Sequence, residues 1–280
     1  MDRQFYYRSI KRVKCKQYIA EQVVAMVMRE RKVMPRLGAK KLYHNLKESL
    51  LNLRIGRDKF IEILRANHLL IEPKRSYHTT TMSHHRFRKH PNVIKDVAIT
   101  APEQVWVSDI TYIGKREKPC YLSLITDAYS KKIVGFDVSN SLATQSSLKA
   151  LRMARRNRQY KDSKLTHHSD RGLQYCSDEY QYQLLKNGLL CSMTEDSNPY
   201  ENAVAERING ILKQEFMIDR LHLDLPIMKQ VIKEVVEIYN SKRPHLSNHM
   251  LTPNQMHNQS TLKIKTYKTK NSSNLTTTTV

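Results

Sequence analysis

Three acidic residues stand where an acid is either costly or conspicuous. Asp109 lies inside the apolar run VWVSDITYI, where an uncompensated charge costs on the order of several kcal/mol. Asp170 ends the short run LTHHSD and is followed by Arg171-Gly172. Glu206 sits midway along ENAVAERINGILKQEF, with Ala203, Ala205 and Ile208 beside it to pack that stretch down. Taken singly, each has a plain reading: an Asp on the solvated side of a strand, a turn or helix-capping Asp, and a surface Glu. Taken together they are hard oxygen ligands of the kind that hold Mg²⁺ or Mn²⁺. Two such ions about 4 Å apart assist in-line displacement at phosphorus by activating the attacking oxygen and stabilising the leaving one.

The elements that must position these acids follow from the residue patterns. QVWVSDITYI, CYLSLITDAY and KKIVGFDVS are rich in β-branched and aromatic residues and are separated by short polar stretches, which predicts a three-stranded antiparallel meander. A helix over TQSSLKALRMARRNRQY, a strand LTHHSD, a helix SDEYQYQLLKNG stopped by Gly188 and a strand LLCSMT follow. Two more helices are expected, one from near Pro199 through ENAVAERINGILKQEF and one over PIMKQVIKEVVEIYN, where Pro226 suits a first turn. Strands followed by alternating helix and strand give an α/β fold, a mixed sheet with helices packed on it.

The charge is unevenly spread. Of 48 Lys and Arg and 26 acids, a formal net charge of +22, residues 1 to 100 hold 23 basic residues against 8 acids. Such an excess points to a polyanionic partner. The first part reads as three helices: KQYIAEQVVAMVMRERK with Ile19, Val23, Met26 and Val27 on one face, LGAKKLYHNLKESL with Leu42, Leu46 and Leu50, and RDKFIEILRANHLL after the Ile55-Gly56 turn. These are the ingredients of a helix-turn-helix unit, or of a plain helical bundle with a basic surface. The segment from Glu72 to Val93 is polar, basic and poor in aliphatic residues, a linker suited to lie along nucleic acid, and the last stretch, NQSTLKIKTYKTKNSSNLTTTTV, contains no acid and is expected to be disordered.

Other classes are disfavoured. No window approaches eighteen apolar residues and MDRQFYYRSIKRVKCK has no signal-peptide core, so a cytoplasmic protein without a membrane role is expected. Cys15, Cys120, Cys176 and Cys191 lack Cys-x-x-Cys spacing, as do His84, His85 and His90 any such partner pair, against a disulfide framework or a zinc site. Only 7 glycines leave no glycine-rich nucleotide loop.

The set of Asp109, Asp170 and Glu206, with 35 residues between the last two, resembles the DDE catalytic core of retroviral integrases and transposases. The text around it is similar as well. VWVSDITYI, HHSDRGLQYCS, SMTEDSNPYENAVAERINGILKQEF and YNSKRPHLSNHMLTPNQ resemble successive signature blocks of the second-frame (OrfB) transposases of bacterial insertion sequences. The resemblance covers about residues 100 to 257, and the basic helices before it are similar to the helix-turn-helix region of that family. One departure is TEDSNPYEN, where Glu195, Asp196 and Glu201 add acid beside the site and lower the local affinity for a phosphate backbone.

The resemblance implies a ribonuclease H-like mixed five-stranded sheet flanked by helices, behind a helix-turn-helix-like DNA-binding region. The expected division is 1–71 DNA-binding helices, 72–99 basic linker, 100–257 integrase catalytic core and 258–280 disordered tail. Asp109 would bridge two Mg²⁺ (or Mn²⁺) ions, with Asp170 and Glu206 each completing one, and no protein nucleophile is needed. Asn202 and Lys213, sharing the face of Glu206, would reach DNA near the scissile phosphate. Arg207 is a backbone clamp or a surface charge, Arg243 a phosphate ligand or a residue that closes the domain, and Arg57, Lys59 and Arg65 on the third helix are further DNA contacts. His167 or His168 would orient a ligand or be a satisfied buried histidine, and Asp127 reads as a structural turn residue. The implied partners are double-stranded DNA, both element ends and target, a homo-oligomeric synaptic complex, and an upstream-frame helix-turn-helix protein by fusion or association, in a nucleoid-associated setting. The rivals are a structure-specific nuclease on the same fold, disfavoured by the basic first hundred residues, and a catalytically silent DNA-binding repressor, disfavoured by the intact acidic set.

Overall fold

The computed structural model describes residues 3–72, 89–95, 97–114, 119–195 and 202–265. Its first part is helical: α1 (Arg3–Val33), α2 (Ala39–Asn45), α3 (Lys47–Asn52) and α4 (Arg57–Ala66). Helix α1 has 31 residues and starts well before the expected Lys16. From Arg3 to Tyr18 only Ser9 and Ile10 are other than exposed, so that half has no buried stripe from which periodicity could announce it. From Ile19 onward α1 turns an apolar face inward, and Val23 and Val27 pack with Leu42, Leu50, Phe60 and Leu64.

The second part is a sheet of five strands, β1 (Val105–Ile113), β2 (Cys120–Asp127), β3 (Ile133–Ser139), β4 (Thr166–Ser169) and β5 (Leu190–Met193), in the order β3-β2-β1-β4-β5. The β1-β2-β3 meander is antiparallel, as expected, while β4 runs parallel to β1 and β5 parallel to β4. Helices α5 (Thr144–Arg156), α6 (Leu173–Cys176) and α7 (Asp178–Lys186) supply one layer; α8 (Ala203–Glu215), α9 (Leu225–Lys242) and α10 (Pro253–His257) complete the chain. This is the ribonuclease H-like α/β arrangement that the sequence implied. Gly188, with φ of +65°, takes the left-handed turn after α7 that its side-chain-bearing alternatives disfavour.

Strand β1 is central and buried on both faces, which is why its residues read as a continuous apolar run. Trp106 packs with α5 and α7 residues such as Leu148, Leu151 and Leu184, whereas Val105 and Val107 pack with Ala205 of α8. Alternation then directs Asp109 to the side of Val105 and Val107. Asp109 itself is half-buried rather than on a solvated face.

Gly135 of β3 lets α5 approach closely, since a Cβ there would lie 2.2 Å from the Ala150 carbonyl oxygen and 2.9 Å from Ala154 Cβ. Gly135→Ala is expected to cost about 1–3 kcal/mol through overpacking, read as a fall in melting temperature of roughly 2–4 °C per kcal/mol; an unchanged melting temperature would contradict the close packing.

At the end of the sheet where β1 starts, fully buried Glu103 accepts from Arg158 Nε at 3.1 Å and from the Gln159 and Tyr160 amides. Burial acts to raise its pKa, but His257, the Gln159 amide and Arg158 bring it down to about 2. Asp127 accepts from the Glu103 amide and from both Ser130 groups, the structural role expected of it.

Two boundary expectations change. Much of the presumed linker (73–88 and 96) lies outside the described residues, but its end is docked on the sheet edge: Met193 N donates to Pro91 O, and Val93 N to Ser192 Oγ. Residues 258–265, expected to be disordered, are tied down where Tyr129 Oη donates to Leu262 O and Lys265 N to Ser247 O; the backbone there gains partners that a composition-based reading does not anticipate. Residues 266–280 lie outside the described residues. Among the described residues no helix is long and apolar enough to cross a membrane.

Candidate active site

The parallel pairing of β1 with β4 sets Ser108 opposite Ser169, so Asp109 and Asp170 follow at neighbouring positions on adjacent strands. Half-buried Asp109 accepts from its own neighbour Ile110 N at 2.9 Å through Oδ1 and from Asn209 Nδ2 at 2.7 Å through Oδ2. Asp170 closes a turn by accepting from Gly172 N at 3.1 Å, which opens α6. Exposed Glu206 lies in the first turn of α8, where the helix dipole favours a negative charge.

The charges of the three acids act on one another. Burial, and after it the charge of Asp170, pushes the Asp109 pKa up to about 7, with Glu206 adding to the rise against the hydrogen bonds from Asn209 and Ile110. Glu206 is likewise raised, by burial and by Asp170. Like charges held close together favour retention of a proton. Among the described residues no group of three or more His, Cys, Asp or Glu side chains is arranged to hold a metal ion. The three carboxylates fit a hard divalent cation in donor type and in their mutual repulsion.

Of the weaker expectations, Lys213 is brought to the site: it is half-buried, and Asp109 opposes the lowering of its pKa by burial. Arg207 is exposed. Asn202 has a partner within the fold. It is buried, and its Nδ2 donates to Ser108 O at 3.1 Å, tying the start of α8 to β1 directly beside Asp109. Arg243 takes the second of its two readings. At 1% exposure it cannot reach a phosphate, and it makes two hydrogen bonds to Glu215, Nη2 to Oε1 at 2.7 Å and Nε to Oε2 at 2.8 Å; it closes the domain. Arg57, Lys59 and Arg65 are exposed on α4, but Arg57 pairs with Asp58 and Lys59 with Glu62, so that face alternates in sign.

His167 and His168 are fully buried. His167 Nε2 bonds Ser108 Oγ at 2.7 Å and Tyr180 Oη at 2.9 Å, and burial drops its pKa to about 3, so it is neutral. His168 Nδ1 bonds Ser192 Oγ at 2.9 Å. Both brace β4 from within the fold. In the acidic insertion, Glu195 accepts from Asn92 N, and residues 196–201 lie outside the described residues.

Asn209 was missed from sequence. An Asn inside a helix carries little signal, yet its place three residues after Glu206 and four before Lys213 puts all three on one face. That spacing could have revealed it.

The comparisons agree with this geometry. Residues 99–199 and 187–253 match the integrase core domain family. A 31 kDa protein of insertion element IS600 from Shigella sonnei is 36% identical over 210 residues, 74% of this chain and 76% of that one. Transposase InsF for insertion sequence IS3fB from Escherichia coli K12 is 32% identical over 200 residues, 70% of this chain and 68% of that one. The transposase of insertion sequence element IS904 from Lactococcus lactis is 34% identical over 158 residues, 55% of this chain and 62% of that one. An integrase core of this kind implies a divalent metal and DNA as the molecule acted on. The chain belongs to the insertion-sequence transposases that carry an integrase core domain.

Proposed function

We propose that Asp109, Asp170 and Glu206 are the catalytic and metal-binding carboxylates of this DNA transposase, acting on insertion-sequence ends with two Mg²⁺ (or Mn²⁺) ions. The observation that carries the reading is geometric: the β1–β4 register puts Asp109 beside Asp170, and Asn202 and Asn209 tie the helix of Glu206 to the same strand. When bound, the ions would supply activation of the attacking oxygen and charge stabilisation at the leaving one.

The protein's own residues do the rest. Asn209 fixes one carboxylate oxygen of Asp109, and Asn202 pins α8 to β1, so the acid on the helix and the acid on the strand keep a set relation. Lys213 brings positive charge toward the phosphate that is to be cut. No side chain of the set is a nucleophile: water attacks the phosphodiester and releases a 3′-hydroxyl, which then attacks a target phosphodiester, each step exchanging one P–O bond for another. The two DNA substrates and the need to join them support a homo-oligomeric synaptic complex, with the basic helices 1–71 holding the element ends, alone or with an upstream-frame helix-turn-helix protein.

Asp109→Asn, Asp170→Asn and Glu206→Gln remove charge without emptying volume. Each is expected to abolish end cleavage and joining while end-DNA affinity stays within about twofold. Cleavage within about tenfold of the parent, a barrier change of only about 1.4 kcal/mol, would strike that residue from the set.

Loading the site must also displace the proton of Asp109. The apparent affinity for Mg²⁺ is expected to climb with pH up to about 7 and to level off above it. Calorimetric titration of the protein on end DNA between pH 5.5 and 8.5 checks this; an affinity independent of pH would oppose it.

A further inference from the structure

Helix α8 ends on an acid. A carboxylate in the last turn faces the negative end of the helix dipole, and Glu215 is largely buried as well, with a side-chain exposure of 16%. Both circumstances disfavour its charge. Burial acts to raise its pKa, but Arg243 and then Lys41 outweigh burial and hold the carboxyl below the usual range.

The two cations come from different parts of the chain. Arg243 follows α9, while Lys41 belongs to α2 of the N-terminal helices and donates to Glu215 Oε1 at 2.7 Å. The turn between α1 and α2 holds the same residue, for Arg36 N donates to Glu215 O at 3.0 Å. Lys41 also faces the positive charges of Arg243 and Arg207, so Glu215 is what makes its position tolerable. Glu215 thus offsets the repulsion where the N-terminal helices meet the end of α8.

Glu206, Asn209, Lys213 and Glu215 ride on one helix. The nine helical steps from Glu206 to Glu215 span about 14 Å of a rigid rod, whose front is braced by Asn202 and Asn209 against β1. Its rear is clamped by Arg243, Lys41 and the Arg36 amide.

We propose that Glu215 is a positioning residue, the joint through which the docked N-terminal helices hold α8, and with it Glu206, in register with Asp109 and Asp170. The end-binding helices then do more than hold DNA: their docking is a condition for cleavage. The proposal rests on the assignment of Glu206 above, and the test separates the two.

The full chain is bound to end DNA at saturation and cleavage is followed in a single turnover with Mg²⁺ for the parent, Lys41→Met, Lys41→Gln, Lys41→Arg and Glu206→Gln. Lys41→Met and Lys41→Gln are expected to cleave at least about tenfold more slowly while end-DNA affinity stays within about twofold, and Lys41→Arg to recover most of the rate. Amide exchange across 203–215 should quicken in Lys41→Met and not in Lys41→Arg. Parental cleavage by Lys41→Met, or loss of folding in both neutral variants, would overturn the joint, the latter because the contact would then serve stability alone. Cleavage by Glu206→Gln would instead overturn the catalytic assignment and leave the joint without a target.

Discussion

Asp109→Asn should destroy cleavage and, in the absence of metal, make the protein more stable at pH 8. Asp109 keeps its proton up to about pH 7 in the folded chain but only to about pH 4 in an unfolded one. The folded state therefore binds more protons between these values, so its stability falls as pH rises from about 4 to about 7 and stays reduced above. Asparagine carries no such charge. Partial solvent access and the loss of one of the two acceptor contacts reduce the benefit, leaving a gain of at least about 1 kcal/mol, or roughly 2–4 °C in melting temperature. Below pH 4 the two proteins should melt alike. The loss of activity should exceed about a thousandfold, a barrier increase of about 4 kcal/mol. Melting curves of both proteins in chelator from pH 3.5 to 8.5 read the stability half; an Asn variant less stable than the parent at pH 8 would mean that the acid is paired rather than poised for a cation.

The second large effect concerns Arg243. Breaking a buried ion pair by removing one partner costs about 3–5 kcal/mol, because the partner is left charged and desolvated. Arg243→Ala also empties volume beside Tyr239, whose ring lies 5.8 Å from the guanidinium. Lys41 remains to pair Glu215, so the lower end of that range is expected, about 3 kcal/mol and a fall of roughly 6–12 °C in melting temperature. The DNA-contact reading expects the opposite pattern. A variant with parental melting temperature and a flatter salt dependence of DNA binding would restore that reading.

The legible and illegible parts of this protein divide by where the physical signal lies. Strand β1 could be read because it carries its burial in its residue types, as the largely buried run VWVSDITYI does. The acids could be read because a charge inside such a run needs a reason. The first half of α1 could not, since exposed residues leave no period. Nor could the role of Arg243, whose local text, YNSKRPH, holds no hint that its partner is Glu215, 28 residues earlier. The bond from Asn202 to Ser108 is likewise invisible in sequence, since it depends on the packing of α8 on β1. Residues 258–265 illustrate the limit of composition, because few apolar side chains are needed when backbone groups find partners on Ser247 and Tyr129.

The assignment of the three carboxylates is tested most directly by counting the metal they hold. Mn²⁺ is titrated into the full chain bound to end DNA at pH 8, with free ion followed by electron paramagnetic resonance, for the parent and for Asp109→Asn, Asp170→Asn and Glu206→Gln. The expected result is Mn²⁺ retained by the parent complex and weakened at least about tenfold in each variant, with DNA affinity unchanged. Undiminished Mn²⁺ binding in all three variants would contradict the assignment.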